Sequence, residues 1–137
     1  MSDSSGANAR GAATKRELTL SPEQRAAIAG GAFVRVDLGA IVIVGDTRVR
    51  SVLVGRAGGA LRAYLNVCAH QAVPLDIGAD SPMSHDGYHL LCHQHGAIYR
   101  PTDGFCVSGP CKGDKLASVR VVDDDAGDQG RTIIIEL

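Results

Sequence analysis

Two short stretches each hold a soft sulfur and a borderline nitrogen within one tight loop. In "NVCAHQAVPLD", residues 66–76, one residue separates Cys68 from His70; in "LLCHQHGAIY", residues 90–99, two residues separate Cys92 from His95. A thiolate and an imidazole presented this way suit zinc or an iron-sulfur cluster. Alone, Cys68 and His70 would pass for a buried thiol beside an ordinary histidine. The second pair, after 21 intervening residues, moves the reading to metal. Two chemistries then compete. A tetrahedral zinc gathers all four ligands on one ion; a [2Fe-2S] cluster divides them, both cysteines on one iron and both histidines on the other.

Other reactive residues crowd the same region. His85, His89 and His93 lack the cysteine spacing and read as loop histidines, although His93 lies between the second pair and could tune a metal group electrostatically. Cys106 and Cys111, in "GFCVSGPCKG", flank a Gly109-Pro110 turn that could bring them toward disulfide distance. Two reduced thiols are the expected state in a cytoplasm. Lys112, Asp114 and Lys115 after this turn, and Asp123 to Asp125 further on, read as solvated loop charge.

The elements around these loops are mostly strands. Ser21-Pro-Glu-Gln24 predicts one short helix, with Ser21 as N-cap, Pro22 in the first turn, Gln24 closing a capping box, and Gly30-Gly31 ending it. From residue 32 the pattern is β: "AFVRVDL", then "TRVRSVLVG", then "LRAYLNV". In the last, Leu61, Ala63, Leu65 and Val67 predict a buried face, and Arg62, Tyr64 and Asn66 a solvent face. "LASVRVV" and "RTIIIEL", joined by the acidic "DDDAGDQG", predict a terminal hairpin. Between residues 68 and 115 alternation fades, and all four cysteines and all five histidines fall in that stretch. The expected fold is all-β: an antiparallel base, sandwich or barrel, carrying an inserted loop-rich subdomain at about residues 66–115, with a short N-terminal helix. Residues 1–18 are expected as a flexible tail and 19–137 as one domain.

Composition excludes several partners. The 137 residues carry 14 Lys and Arg against 15 Asp and Glu, a net charge of −1, so no strong field points to nucleic acid or an anionic membrane. The first eighteen residues lack the apolar segment of a secretory signal, and the longest apolar run, Ala40–Val44, is strand-sized; a soluble cytoplasmic protein is expected. No G-x-G-x-x-G stretch follows a strand and opens a helix.

Taken together, "YLNVCAHQAVPLD" and "HLLCHQHGAIYRPTDGFCVSGPCKGDKL" resemble the Rieske iron-sulfur proteins: the C-x-H and C-x-x-H pairs, the glycine after the second histidine and a later Gly-Pro loop all match. The resemblance covers about residues 32–137. It implies one [2Fe-2S] cluster, with Cys68 and Cys92 on one iron and His70 and His95 on the other, and Gly109-Pro110 as a lid excluding water. It also implies a tuning role for Tyr99, while Ala97 stands where high-potential members carry a serine. Val73 and Gln94 occupy the positions of the disulfide cysteines of cytochrome-complex members, so that bridge is absent. The interval between the pairs is several residues longer than in most members, with the excess in "GADSPMSHDGYH".

A cluster with four protein ligands has no open position, so it carries one electron and makes no bonds. The expected function is that of a stand-alone Rieske ferredoxin, not an enzyme, passing electrons from a reductase to a terminal oxygenase or similar redox enzyme. Two alternatives are a small subunit of a nitrite-reductase-type complex and a zinc-stabilised, non-redox binding module.

Overall fold

Ser21 starts the helix that its context predicts. In the computed structural model, which describes residues 14–69, 71–123 and 132–137, helix α1 spans Pro22–Ala29. The Ser21 hydroxyl accepts from the Gln24 N–H, and the Gln24 side chain accepts from the Ser21 N–H at 2.8 Å. Gly30 caps the other end. Gln24 also donates to the Arg35 carbonyl, tying the helix to the following strand.

The described residues form nine strands, one before the helix and eight after it: β1 Lys15–Thr19, β2 Val34–Val44, β3 Thr47–Ala57, β4 Ala60–Leu65, β5 Leu90–Leu91, β6 Ile98–Tyr99, β7 Cys106–Ser108, β8 Ser118–Asp123 and β9 Thr132–Glu136. They form a six-stranded antiparallel sheet, close to a barrel, in the order β1-β9-β8-β4-β3-β2, and a three-stranded sheet β5-β6-β7. The small sheet is inserted between β4 and β8, where alternation fades in the sequence. The paired strands β8 and β9 form the expected terminal hairpin, whose turn residues 124–131 lie outside the described residues. No helix among them is long and apolar enough to cross a membrane.

Two expectations are corrected. Residues 15–18, assigned to the flexible tail, belong to β1, which pairs with β9 from Thr19 opposite Thr132 to Lys15 opposite Glu136. Only Leu18 of that strand is buried, so the segment has little apolar pattern of its own and is ordered by its partner. The second concerns β4 and the residue after it, which show no solvent face at these positions: Tyr64 and Asn66 are 2% and 3% exposed.

The reason lies in two cores on opposite faces of the same strands. Val52, Val54, Ala63 and Leu65 pack into one core with Leu18, Ile28, Ile133 and Ile135. Leu53 and Tyr64 point the other way, into a second core with Phe33, Leu75, Leu90, Cys92, Tyr99 and Cys106. The insert folds back over the face that β4 would otherwise show to water, and the Tyr64 hydroxyl donates to the Pro101 carbonyl at 2.7 Å. Strands β3 and β4 are therefore a wall shared by the base and the insert.

Candidate metal centre

The first loop leaves β4 at Leu65 and is fastened at once by Asn66. Its amide donates to Ser51 Oγ at 3.0 Å and to Asp76 Oδ1 at 3.1 Å, and its oxygen accepts from the Leu75 N–H at 2.8 Å. Asp76 is itself buried, with Arg35 Nη1 at 3.5 Å from its second oxygen. Both ends of the 66–76 segment are thus tied to β3 and β2 by a buried polar network. Within the loop the Cys68 N–H donates to the Val73 carbonyl at 2.8 Å, which turns the Cys68 side chain inward, 4% exposed. His70 lies outside the described residues.

The second loop connects β5 to β6. Cys92 N–H donates to the Ala97 carbonyl and Gly96 N–H to the Cys92 carbonyl, at 2.8 and 2.9 Å, closing a tight turn in which Gly96 takes a φ of +80°. The backbone N–H groups of Gln94 and His95 are directed at the Cys92 sulfur. Burial pushes the Cys92 thiol up, its hydrogen bond with the Cys68 thiol adds to this, and those two N–H groups pull the other way. His93 N–H donates to the Leu75 carbonyl at 2.8 Å, joining the two loops. The His93 and His95 side chains are exposed.

Tyr99 stands behind both loops, fully buried. Its hydroxyl accepts from the Ala69 N–H at 3.0 Å and lies 3.2 Å from Cys68 Sγ and 3.1 Å from Cys111 Sγ. Burial, and the hydrogen bonds with Cys111 and Cys68, hold its pKa well above the usual phenol range. The Cys111 sulfur is in turn 3.0 Å from that of Cys106, whose thiol donates to the Ser108 carbonyl at 3.2 Å. None of the four cysteines is in a disulfide. Between Cys106 and Cys111, Gly109 holds the turn against the second loop: at its φ of +102° a Cβ would fall 2.7 Å from Ala97 Cα.

The long interval between the pairs makes a hairpin of its own. Ser84 N–H donates to the His89 carbonyl, Leu91 N–H to the Pro82 carbonyl, and Asp86 accepts from the Ser84 hydroxyl, the Tyr88 N–H and the His89 ring. Met83 anchors it, its sulfur accepting from the Phe33 N–H at 3.3 Å. His89 thus has a structural partner, and the hairpin leaves His95 exposed.

Sequence reasoning singles out Cys68, Cys92, His95 and Tyr99 and does not single out Asn66, Asp76, Ser51 or Arg35, which the structure places around the first loop. Asn66 is visible only as a polar residue just past β4, and the other members of its network come from three separate segments.

Two facing thiols sealed from water, with backbone N–H groups aimed at one sulfur and a phenol beside the other, fit an iron-sulfur cluster. A bound metal takes the protons that burial otherwise holds on such thiols. Among the described residues no three His, Cys, Asp or Glu side chains are arranged to hold a single ion. Comparison with known proteins agrees. Residues 28–122 match the Rieske [2Fe-2S] domain. The ferredoxin of carbazole 1,9a-dioxygenase from Nocardioides aromaticivorans IC177 is 21% identical over 89% of this chain and 96% of its own, with a TM-score of 0.52. The Sphingomonas yanoikuyae B1 ferredoxin is 18% identical over 90% and 99%, with a TM-score of 0.54. The terminal oxygenase of carbazole 1,9a-dioxygenase from Novosphingobium sp. KA1 is 22% identical over 88% of this chain, with a TM-score of 0.58, but this chain spans only 29% of it. A search of curated protein sequences finds no match. The chain belongs to the Rieske [2Fe-2S] family, whose domain implies one [2Fe-2S] cluster.

Proposed function

We propose that the protein is a one-electron carrier and not itself an enzyme, taking electrons from a reductase and delivering them to a terminal oxygenase or similar redox enzyme. Cys68 and Cys92 hold one iron of the cluster, and His70 and His95 hold the other. The observation that carries this reading is the arrangement around the sulfurs: two buried thiols in contact beside Tyr99, with the His95 side chain on the surface. When bound, the cluster supplies a single reversible electron at a potential that neutral imidazoles raise relative to four-thiolate clusters.

The chain's own residues do the rest. Cys68 and Cys92 are held in a dry pocket by Leu75, Leu90 and Ala97. Tyr99 donates a hydrogen bond to Cys68 Sγ, and Gln94 and His95 donate backbone bonds to Cys92 Sγ; each is stronger toward a more negative sulfur and so favours the reduced state. Gly109 packs against Ala97 of the second loop, and the Gly109-Pro110 turn serves as the lid on the sulfur side of that loop. His95, at the surface, gives a short exit for the electron, and docking there is weak and transient, as exchange between carriers requires. The likeness of the fold to ferredoxins and to oxygenases is in keeping with partners of that type.

The test is the visible and low-temperature EPR spectrum of the purified protein, oxidised and dithionite-reduced, with iron and acid-labile sulfide counted on the same sample. Two irons, two sulfides and a reduced-state signal of low average g are expected. A colourless protein with one zinc overturns the proposal. Replacing His70 or His95 should abolish the native spectrum rather than slow transfer.

A further inference from the structure

Cys106 and Cys111 are two buried nucleophiles that cluster ligation does not use. They end a run of close contacts beginning at Cys68: Cys68 to Tyr99, Tyr99 to Cys111, Cys111 to Cys106, and Cys106 to the Ser108 carbonyl. With Cys68 as a thiolate ligand, as proposed above, the run has four contacts and only the protons of Tyr99, Cys111 and Cys106 to fill them. The phenol proton goes to the Cys68 sulfur, since a charged acceptor makes the stronger bond, and Ala69 already donates to the phenol oxygen. The Cys106 proton goes to Ser108. Cys111 can then donate to the Tyr99 oxygen or to the Cys106 sulfur, but not to both. When it donates to Tyr99, two sulfurs face each other at 3.0 Å with no hydrogen between them. A covalent bond removes that shortfall.

We propose that Cys106 and Cys111 form a second redox site, a dithiol that closes to a disulfide by exchange with a low-molecular-weight disulfide such as oxidised glutathione, and that its state is coupled to the cluster through Tyr99. Cys111 is the more accessible of the two and follows the exposed Gly109 and Pro110. It loses its proton and attacks one sulfur of the glutathione disulfide, forming a mixed disulfide and releasing one glutathione, which takes up that proton. Cys106 then loses its proton and attacks the Cys111 sulfur, closing the protein disulfide and releasing the second glutathione. Two electrons pass from the protein thiols to glutathione, and the protons follow them. Cys106 is fully buried, so it is not reached by glutathione and acts second, where proximity to the Cys111 sulfur serves it.

In the dithiol, Cys111 can turn its proton from the Cys106 sulfur to the phenol oxygen, and when it does so it polarises the phenol's own bond to Cys68. In the disulfide Cys111 has no proton to give. Reduction of the cluster is then less favoured, and by reciprocity a reduced cluster makes the disulfide easier to reduce.

The test equilibrates the full-length holoprotein in glutathione buffers from reducing to oxidising, then unfolds samples in acid and alkylates them for mass analysis. The expected result is four labelled cysteines falling to two in a single step. Over the same step the cluster's reduced-to-oxidised ratio at fixed potential should fall measurably but by less than about fivefold, which is under about 40 mV for one electron. In Cys111→Ser, which removes the attacking thiol, the cluster spectrum should persist, three cysteines should be labelled throughout, and the potential should ignore the buffer. Four labels across the whole range overturn the site. Two labels with an unchanged potential overturn the coupling and leave the carrier reading standing. Loss of the Rieske signal itself overturns the carrier reading and the coupling together, while the label count still reports on the dithiol.

Discussion

Asn66→Ala should loosen the loop that carries Cys68 more than any other single polar change near the site. The side chain makes three hydrogen bonds, to Ser51, Asp76 and the Leu75 N–H. Leu75 is fully buried, so its N–H is left without a partner, which costs about 1–3 kcal/mol. Asp76 loses a charge-assisted bond worth about 1.5–3 kcal/mol, part of which Arg35 retains. Because these terms share partners they do not simply add, and a net loss of about 3 kcal/mol is expected. For a chain of this size that is roughly 10 °C in melting temperature. The assay is denaturant unfolding of the holoprotein followed by far-ultraviolet circular dichroism, with bleaching of the visible band recorded in parallel. Ser51→Ala, which removes one neutral bond, should cost only about 1 kcal/mol. Asn66→Asp keeps an acceptor for Leu75 but sets a carboxylate against Asp76; it should be worse than alanine at neutral pH and recover as the pH falls and one carboxylate gains a proton. A loss below about 1 kcal/mol in Asn66→Ala would refute the reasoning, since it would mean that the network does not fasten the loop.

The remaining predictions concern the sulfurs, the lid and one surface pair. Tyr99→Phe removes a hydrogen bond to Cys68 Sγ worth about 1 kcal/mol in favour of the reduced state, so the potential should fall by roughly 40 mV in a spectroscopic redox titration; no offset removes the tuning role. Gly109→Ala drives a Cβ into the Ala97 backbone at a φ that L-residues rarely adopt. Displacement of the turn, at a cost of about 1–3 kcal/mol, should shorten the half-life of the visible absorbance in air, and an unchanged half-life would show that the turn does not shield the cluster. Asp103 is held down to about 2 by the Arg100 guanidinium and by the Phe105 N–H. Its folded value lies below the unfolded one, so its contribution is present above about pH 4 and lost as the pH falls toward about 2. Asp103→Asn should flatten stability against pH in that window only, as read by acid unfolding.

Local chemistry is what the sequence makes legible. The capping box of α1, the alternation of the base strands and the spacing of the two cysteine-histidine pairs each involve residues a few positions apart, and each is set by backbone geometry alone. Tyr99 is legible through the family resemblance, and its contact with Cys68 agrees with it. What escapes is long-range. β1 reads as tail because its order comes from β9, more than a hundred residues away. Tyr64 and Asn66 read as solvent-facing because alternation reports which residues share a face and not whether a second layer covers it. The Asn66 network needs partners from β2, β3 and the end of the first loop. The run from Cys68 to Ser108 needs the first loop and the turn that carries Cys111 to meet at one phenol. His70, the fourth residue of the spacing pattern, lies outside the described residues and stays an inference from sequence.

The shared wall of β3 and β4 bears on how the protein acquires its cofactor. All four cysteines belong to the second core, while the first is built from the helix and the base strands without any of them. Removing metal therefore withdraws cohesion from one side of the wall only, and the two sides form separate cooperative units with different opening free energies. The base is the scaffold that persists through assembly and repair, and the insert is the part that opens to be loaded. In hydrogen exchange, cluster removal should release the amides of residues 66–115 first, while those facing Val52, Val54, Ile133 and Ile135 remain protected.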